Sequence, residues 1–209
     1  RRYYLSRYLG FEPQLQGAAS DFGLQAHALL AGAAVESPDP EAVRLADLFR
    51  KSTLGRRAGA ATTIEREFDF LMEVENMVLR GQIDLWFEDR GKTVLVDYKT
   101  DRVSADEAPA RAEKYALQLR LYALAVERLT GDAPDEAYIY FLRPNLAVPV
   151  DVRPSLFNAP EAAVREFRDA QEHQDFPLHE GEHCRTCPHF NRLCPARLAP
   201  AVAVSPILA

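Results

Sequence analysis

Asp84, at the end of the run GQID, and Asp97 and Lys99, in VDYKTD, are two carboxylates and an amine carried on otherwise apolar, strand-like sequence. Side chains two apart on a strand point to the same face, so Asp97 and Lys99 share one side of the strand while Tyr98 takes the other. Hard divalent cations take oxygen ligands, and Mg²⁺ is typically held by one or two carboxylates, with water and substrate phosphate completing its shell. Such an ion makes water acidic and polarises a phosphate, and an amine beside it can orient the nucleophile or neutralise charge developing at phosphorus. The three residues therefore suit hydrolysis of a phosphodiester. An Asp-x-Lys pair taken alone reads as a surface ion pair. Here it follows VLV, where charge emerging from a buried strand is costly without a partner.

For these groups to meet, their strands must be neighbours. From Thr62 the chain alternates apolar and polar residues in TTIEREFDFLMEV, MVLRGQIDLWFE follows, and Asp89-Arg90-Gly91 turns into KTVLVDYKT. The pattern predicts three consecutive strands, the last two joined as a hairpin. An antiparallel hairpin sets the start of one strand beside the end of the next, and so sets Asp84 near Asp97. A helix is expected from about Pro109 to Leu129, carrying YALQLRLYALAVERL and ending at Gly131. Gln118 and Tyr122 lie i,i+4 on one face of it. Two further strands, AYIYFLRP and AVPVDVRP, precede a final helix near EAAVREFRDAQEH. Upstream, RRYYLSRYLGF has helical spacing and stops at Gly10. Ser20 and Asp21 offer N-cap chemistry for a helix through FGLQAHALLAGA, and Asp39-Pro40 opens another to about Lys51. Helices, three strands, helix, two strands, helix is the order of a mixed α/β layer fold. The first helix starts without a cap, which reads as a domain excised from a longer protein.

A chain of 209 residues, 47% of them hydrophobic, is expected to build one core and one domain. Its formal charge of −6 has the wrong sign for holding nucleic acid by bulk electrostatics, so any such binding must be local or lent by a partner. Arg1, Arg2 and Arg7 interleave with Tyr3, Tyr4 and Tyr8, a pattern that either packs a helix or serves as a single-strand tract, whereas Glu65 to Asp101 is rich in carboxylates. Charge interrupts every apolar stretch before the ~20 residues of a membrane span, and no basic segment followed by an apolar one opens the chain. The expectation is a cytoplasmic protein with no membrane partner. Cys184, Cys187 and Cys194 are the only cysteines. An odd number so clustered fits a metal site better than a disulfide framework, and a reducing compartment.

The ordered set of GQID, VDYKTD and, on the next helix, QLRLY resembles the RecB-like branch of the PD-(D/E)XK nucleases, especially the nuclease domains of AddAB-type bacterial helicase-nucleases. The resemblance runs from RRYYLSRYLGF to the cysteine segment. It implies a restriction-endonuclease-like α/β fold, a mixed sheet flanked by helices, over residues 1–195: a helical N-terminal region over 1–60, a catalytic core over 61–153, and a C-terminal helix and cysteine segment over 154–195, with 196–209 as a tail. It implies that Asp84 and Asp97 bind Mg²⁺ or Mn²⁺, that Lys99 is the catalytic lysine, and that His27 in LQAHALL and the backbone carbonyl of Tyr98 also meet the metal. Gln118 and Tyr122 match the family's Q-x-x-x-Y motif, implied to lie beside the active site and DNA. Glu67 falls where the family often has an acidic residue.

CRTCPHFNRLC resembles the C-terminal half of the iron-sulfur staple of some RecB-like nucleases, where three such cysteines join one upstream of the first helix around a [4Fe–4S] cluster. Cys184, Cys187 and Cys194 would bind such a cluster if the full protein supplies the fourth ligand. Zinc held with His183 or His189 is the other reading. The implied function is a metal-dependent DNA nuclease, exonuclease or endonuclease, serving as the nuclease module of a helicase-nuclease in double-strand-break repair and recombination. Its DNA would be single-stranded, delivered by a helicase domain or subunit. The alternatives are a catalytically silent DNA-binding or scaffold module of such a complex, and a phosphodiesterase acting on RNA or a small nucleotide.

Overall fold

The computed structural model describes residues 18–187, 189, 190 and 192–196. The helix expected at RRYYLSRYLGF and the tail beyond 196 lie outside the described residues. The chain divides into two compact units, one within Gln16–Arg168 and one from Asp169 onward.

The first unit is built on a five-stranded sheet in the order β1 (Thr63–Val74), β2 (Met77–Asp89), β3 (Lys92–Lys99), β4 (Glu136–Phe141), β5 (Leu146–Pro149). Only β3 and β4 run parallel; the other neighbours are antiparallel. A parallel step needs a crossover, and α4 (Ala108–Ala112) with α5 (Ala116–Thr130) provides it. Leu85, Phe87, Val94, Val96 and Tyr98 form one core with Ala26 of α1 (Ala18–Ala31), Leu45 and Phe49 of α2 (Pro40–Lys51) and Leu54 of α3 (Thr53–Gly59). Leu95, Trp86, Ile139 and Phe141 form a second core with Leu119, Ala123 and Val126 of α5. Each helical layer therefore covers one face of the sheet, and α6 (Asn158–Glu172) is the last of the described α-helices.

Local chemistry explains most boundaries. Arg90 and Gly91 both have positive φ, 54° and 76°, the requirement of a tight turn whose twist matches its strands. Glu75 and Asn76, at 51° and 59°, make the β1–β2 connection a hairpin of the same kind, although no glycine announces it. Asp39 caps α2 by accepting from the Glu41 N–H at 2.7 Å, with Pro40 in the first turn. Ser52 caps α3 through the Gly55 N–H. A Cβ on Gly55 would lie 2.0 Å from the Phe49 carbonyl oxygen, so glycine alone lets α3 fold back on the end of α2.

Three expected elements differ. The first described helix begins at Ala18, so Ser20 and Asp21 lie within its first turn, where Asp21 complements the helix dipole instead of capping it. The long helix expected from Pro109 is broken by a 3₁₀ turn at Glu113–Tyr115. The strand expected over AVPVDVRP stops at Pro149, with one further bond from the Val150 N–H to the Ala137 carbonyl at 2.9 Å before the chain turns away. Asp151 turns the chain by accepting from the Arg153 N–H at 3.1 Å. No helix among the described residues is long and apolar enough to cross a membrane.

One ionic brace joins α3 to the sheet. Arg57 donates to Asp89 at 2.7 Å and to Glu136 at 2.9 Å, and Lys92 and Tyr138 also donate to Glu136. The Arg57 hydrogen bond is the main reason the Glu136 carboxyl falls from 4.5 to about 2. A carboxyl depressed in the fold contributes stability that is present above its unfolded value and is lost as pH falls from about 4.5 toward 2. Glu136→Gln should remove that dependence. Denaturation midpoints measured against pH should separate the variant from wild type near neutrality and bring them together at the acid end.

Candidate active site

The β2–β3 ladder runs from Asp89↔Lys92 to Leu85↔Val96 and stops one step short of Asp84 and Asp97. There the strands part, and the Tyr98 N–H donates at 2.6 Å to the Asp84 carboxylate instead of to a backbone carbonyl. Across β2, Arg66↔Leu85 and Phe68↔Ile83 bracket the level at which Glu67 lies opposite Asp84. Glu67 has φ 48°, and a left-handed residue other than glycine inside a strand costs on the order of 1–3 kcal/mol. Its carbonyl accepts from the Gln82 side chain at 3.2 Å. Glu67, Asp84 and Asp97 thus form a row across three strands at the point where the sheet opens.

The opening lets both helical layers reach that row. From α1, His27 Nδ1 lies 3.3 Å from Asp84 and 3.7 Å from Glu67, with its ring edge-on to Tyr98 at 5.8 Å. Gln25 holds α1 to the start of α2 by accepting from the Asp39 N–H, and Arg143 stacks on Phe22 while donating to the Thr100 carbonyl and to Glu41. From the other face, Lys99 Nζ lies 2.6 Å from Asp97 Oδ2 and donates to Gln118 Oε1 at 3.3 Å, and Gln118 Nε2 donates to the Tyr122 hydroxyl at 2.6 Å. The Lys99 carbonyl accepts from Leu142 on the β4 side. Strand alternation then turns the Tyr98 N–H and carbonyl toward β2, into the opening.

Sequence reasoning missed Tyr115. Its ring lies under Lys99 Nζ at 4.6 Å and its hydroxyl donates to Asp101 at 3.0 Å, a placement that the 3₁₀ break permits. The signal was available, because Tyr115 precedes Gln118 by one helical turn and so continues the Gln118–Tyr122 face.

Asp97 is 1% exposed and Asp84 8%. Burial first, and the Asp84 charge second, push the Asp97 carboxyl up to about 6 against the pull of Lys99. For His27 burial is the largest single influence and acts downward, but the hydrogen bonds and charges of Asp84 and Glu67 together carry it up to about 10. Glu67 Oε1 and Asp97 Oδ2 are buried without a hydrogen bond of good geometry. Asp97 Oδ2 faces Lys99 and Glu67 Oε1 faces His27, so three carboxylates share two cationic side chains, and that excess of buried negative charge is unfavourable unless a further cation offsets it. One donor atom each from His27, Glu67 and Asp84 lies within 4.8 Å of the others. Such oxygen-rich donors fit a hard divalent cation.

In the second unit none of the three cysteines is disulfide-bonded. Successive turns join them: the Cys184 N–H donates to Gly181, Cys187 to Cys184, and Cys194 to His189. Among the described residues no three of Cys184, Cys187, Cys194, His183 and His189 bring ligand atoms within 4.8 Å of one another. A closed zinc tetrahedron needs sulfurs about 3.8 Å apart.

A five-stranded mixed sheet between helical layers, opened at a carboxylate row with a lysine beside it, is a restriction-endonuclease-like architecture. The chain belongs to the PD-(D/E)XK nuclease superfamily, whose family model matches residues 42–195. The match begins after His27. Among curated proteins, the chain is 41% identical over 110 residues to an ATP-dependent helicase/nuclease subunit of Anoxybacillus flavithermus, covering 50% of this chain and 9% of that protein. To the protein of the same name in Bacillus pumilus it is 34% identical over 145 residues, covering 60% of this chain and 12% of that protein. The chain thus corresponds to a small fraction of these relatives. A crystal structure of a candidate exonuclease from Eubacterium rectale shares the fold, with a TM-score of 0.59 at 13% identity over 94% of this chain and 83% of the other.

Because the Asp97 carboxyl is raised by the fold, the metal-free protein should lose stability as pH rises from about 4 through 6. Asp97→Asn removes the buried charge, while Lys99 keeps Gln118 and Tyr115. At pH ~8 in chelator the variant should melt higher than wild type, by about 2–4 °C for each kcal/mol relieved. Mn²⁺ should raise the melting temperature of wild type and not of the variant. An unchanged or lower metal-free melting temperature would contradict this reading of the row.

Proposed function

We propose that the chain is a Mg²⁺- or Mn²⁺-dependent deoxyribonuclease that hydrolyses phosphodiester bonds at the opening between β2 and β3. The observation that carries the proposal is the row of Glu67, Asp84 and Asp97, whose three carboxylates outnumber the two cationic side chains beside them, Lys99 and His27. Asp84, Asp97 and the Tyr98 carbonyl would hold the ion, with His27 and Glu67 on the α1 side of the same opening. When bound, the ion supplies Lewis-acid chemistry, drawing charge from the phosphate and making water acidic at neutral pH.

The protein's own groups do the rest. Lys99, held by Gln118 and the Tyr115 ring and largely withdrawn from solvent, keeps an ammonium beside Asp97, where it can orient the attacking water and offset charge on the phosphoryl oxygens. Tyr122 anchors Gln118 and so restrains Lys99, since a donor that drifts by an ångström loses much of its effect. Asp84 serves twice, because the oxygen that accepts from Tyr98 fixes the direction of the one that faces His27.

The relatives' names support a setting in which residues 1–195 form the nuclease module of a bacterial helicase-nuclease, with 196–209 as a tail. In that setting a helicase motor delivers single-stranded DNA in the cytoplasm, for double-strand-break repair and recombination. Cys184, Cys187 and Cys194 are proposed as three ligands of a [4Fe–4S] cluster, whose fourth ligand the parent protein would supply.

Labelled single-stranded and duplex DNA incubated with Mg²⁺ or Mn²⁺ tests the nuclease. Wild type should cleave, and Lys99→Ala and Asp97→Ala, folded as judged by circular dichroism, should each lose at least about a hundredfold in rate. Cleavage that persists in both variants would place the active centre elsewhere. DNA binding with no cleavage under either metal would favour the silent scaffold.

A further inference from the structure

A second concavity adjoins the carboxylate row on the α1–α3 side. It encloses about 610 Å³, within the range of ligand sites. Phe49, Leu85 and Tyr98 give it an apolar floor, and the exposed Arg50, Arg56 and Arg66 stand around it. It is continuous with the row through the chain itself. Arg66 precedes Glu67, Leu85 follows Asp84, Tyr98 follows Asp97, and the Tyr98 ring touches His27.

The charge here runs against that of the whole chain. Although the protein carries −6, α2 and α3 bear Arg44, Arg50, Lys51, Arg56 and Arg57 against Glu41 and Asp47. Not all of these are available. Arg57 is committed to Asp89 and Glu136, and Arg44 lies near Glu41. Arg50 is oriented by Asp47 and the Leu29 carbonyl, and Arg56 donates one nitrogen to the Lys51 carbonyl. The Arg66 side chain, on the β1 residue paired with Leu85, makes no hydrogen bond or ion pair among the described residues.

We propose that this groove is the subsite for the single-stranded DNA segment that flanks the scissile phosphate. The guanidiniums of Arg56 and Arg66 hold its backbone phosphates, and the apolar floor takes an unstacked base and sugar without reading sequence. The proposal rests on the nuclease reading and adds the path of the strand, which enters or leaves over Arg66 toward Glu67 and Asp84. It also explains how an acidic chain holds a polyanion, because the groove presents arginines and no carboxylate among its lining residues.

The test is anisotropy of a fluorescent oligothymidylate with Ca²⁺ replacing Mg²⁺ to suppress cleavage, followed by cleavage kinetics in Mg²⁺. Three proteins are compared: wild type, the double variant Arg56→Glu/Arg66→Glu, and Arg90→Glu, a single charge reversal away from the groove at the exposed far turn of the β2–β3 hairpin. The double variant should melt like wild type, bind at least about tenfold more weakly, and show a salt slope shallower by about 0.7 for each phosphate it no longer neutralises. In cleavage, KM should rise while kcat holds. A double variant that binds, titrates with salt and cleaves as Arg90→Glu does would overturn the subsite and leave the nuclease standing. Wild type that neither binds nor cleaves the strand would overturn both.

Discussion

The Tyr98 amide has no ladder partner on β2. Asp84 supplies one from its side chain, and this single hydrogen bond, at 2.6 Å, lets the sheet open without leaving a buried donor orphaned. The site depends on that opening. A closed five-stranded sheet would keep His27 and Lys99 on opposite faces, screened from each other by Val94, Leu95 and Val96, all of which are fully buried. Where β2 and β3 part, the α1 imidazole meets Glu67 and Asp84 while Lys99, held by Gln118 of α5, meets Asp97 in the same row. Asp84 is therefore a structural replacement for a backbone carbonyl and a candidate ligand at once.

The opening is expensive, and the rest of the fold offsets it. A left-handed Glu67, an aspartate raised by burial, and three carboxylates against two cationic side chains all concentrate at one level of the sheet. Cores on both faces and the parallel β3–β4 pairing lock the strands on either side of it. At the far end of β2 and β3, the cluster of Arg57, Lys92, Asp89 and Glu136 is fully paired and ties α3 to the sheet. Backbone strain at Glu67 and excess buried negative charge thus coincide where a charged substrate and cation would restore the balance, as strain commonly does at a functional site.

Much of this was legible in the sequence, for identifiable reasons. Period-2 alternation located β1 to β3 and placed Asp97 and Lys99 on one face, because that inference needs only strand geometry. The i,i+4 spacing paired Gln118 with Tyr122 in the same way. What escaped depends on contacts made across the fold. Nothing in EREFDF marks Glu67 for positive φ, and its conformation follows from lying opposite Asp84 where β3 diverges. The break at Glu113–Tyr115 opposes a strongly helical pattern, and it places Tyr115 between Lys99 and Asp101. The arginine groove is spread over α2, α3 and β1, so no single stretch of sequence displays it, and the net acidity of the chain conceals it.

The most direct measurement is the anomalous difference map of crystals grown with Mn²⁺. A peak in the opening, ligated by Asp84, Asp97 and the Tyr98 carbonyl with His27 and Glu67 beside it, and absent from Asp84→Asn crystals, is the expected result. An opening without manganese at saturating Mn²⁺, or a peak indifferent to Asp84→Asn, would contradict the central claim that the strands part to hold a catalytic cation.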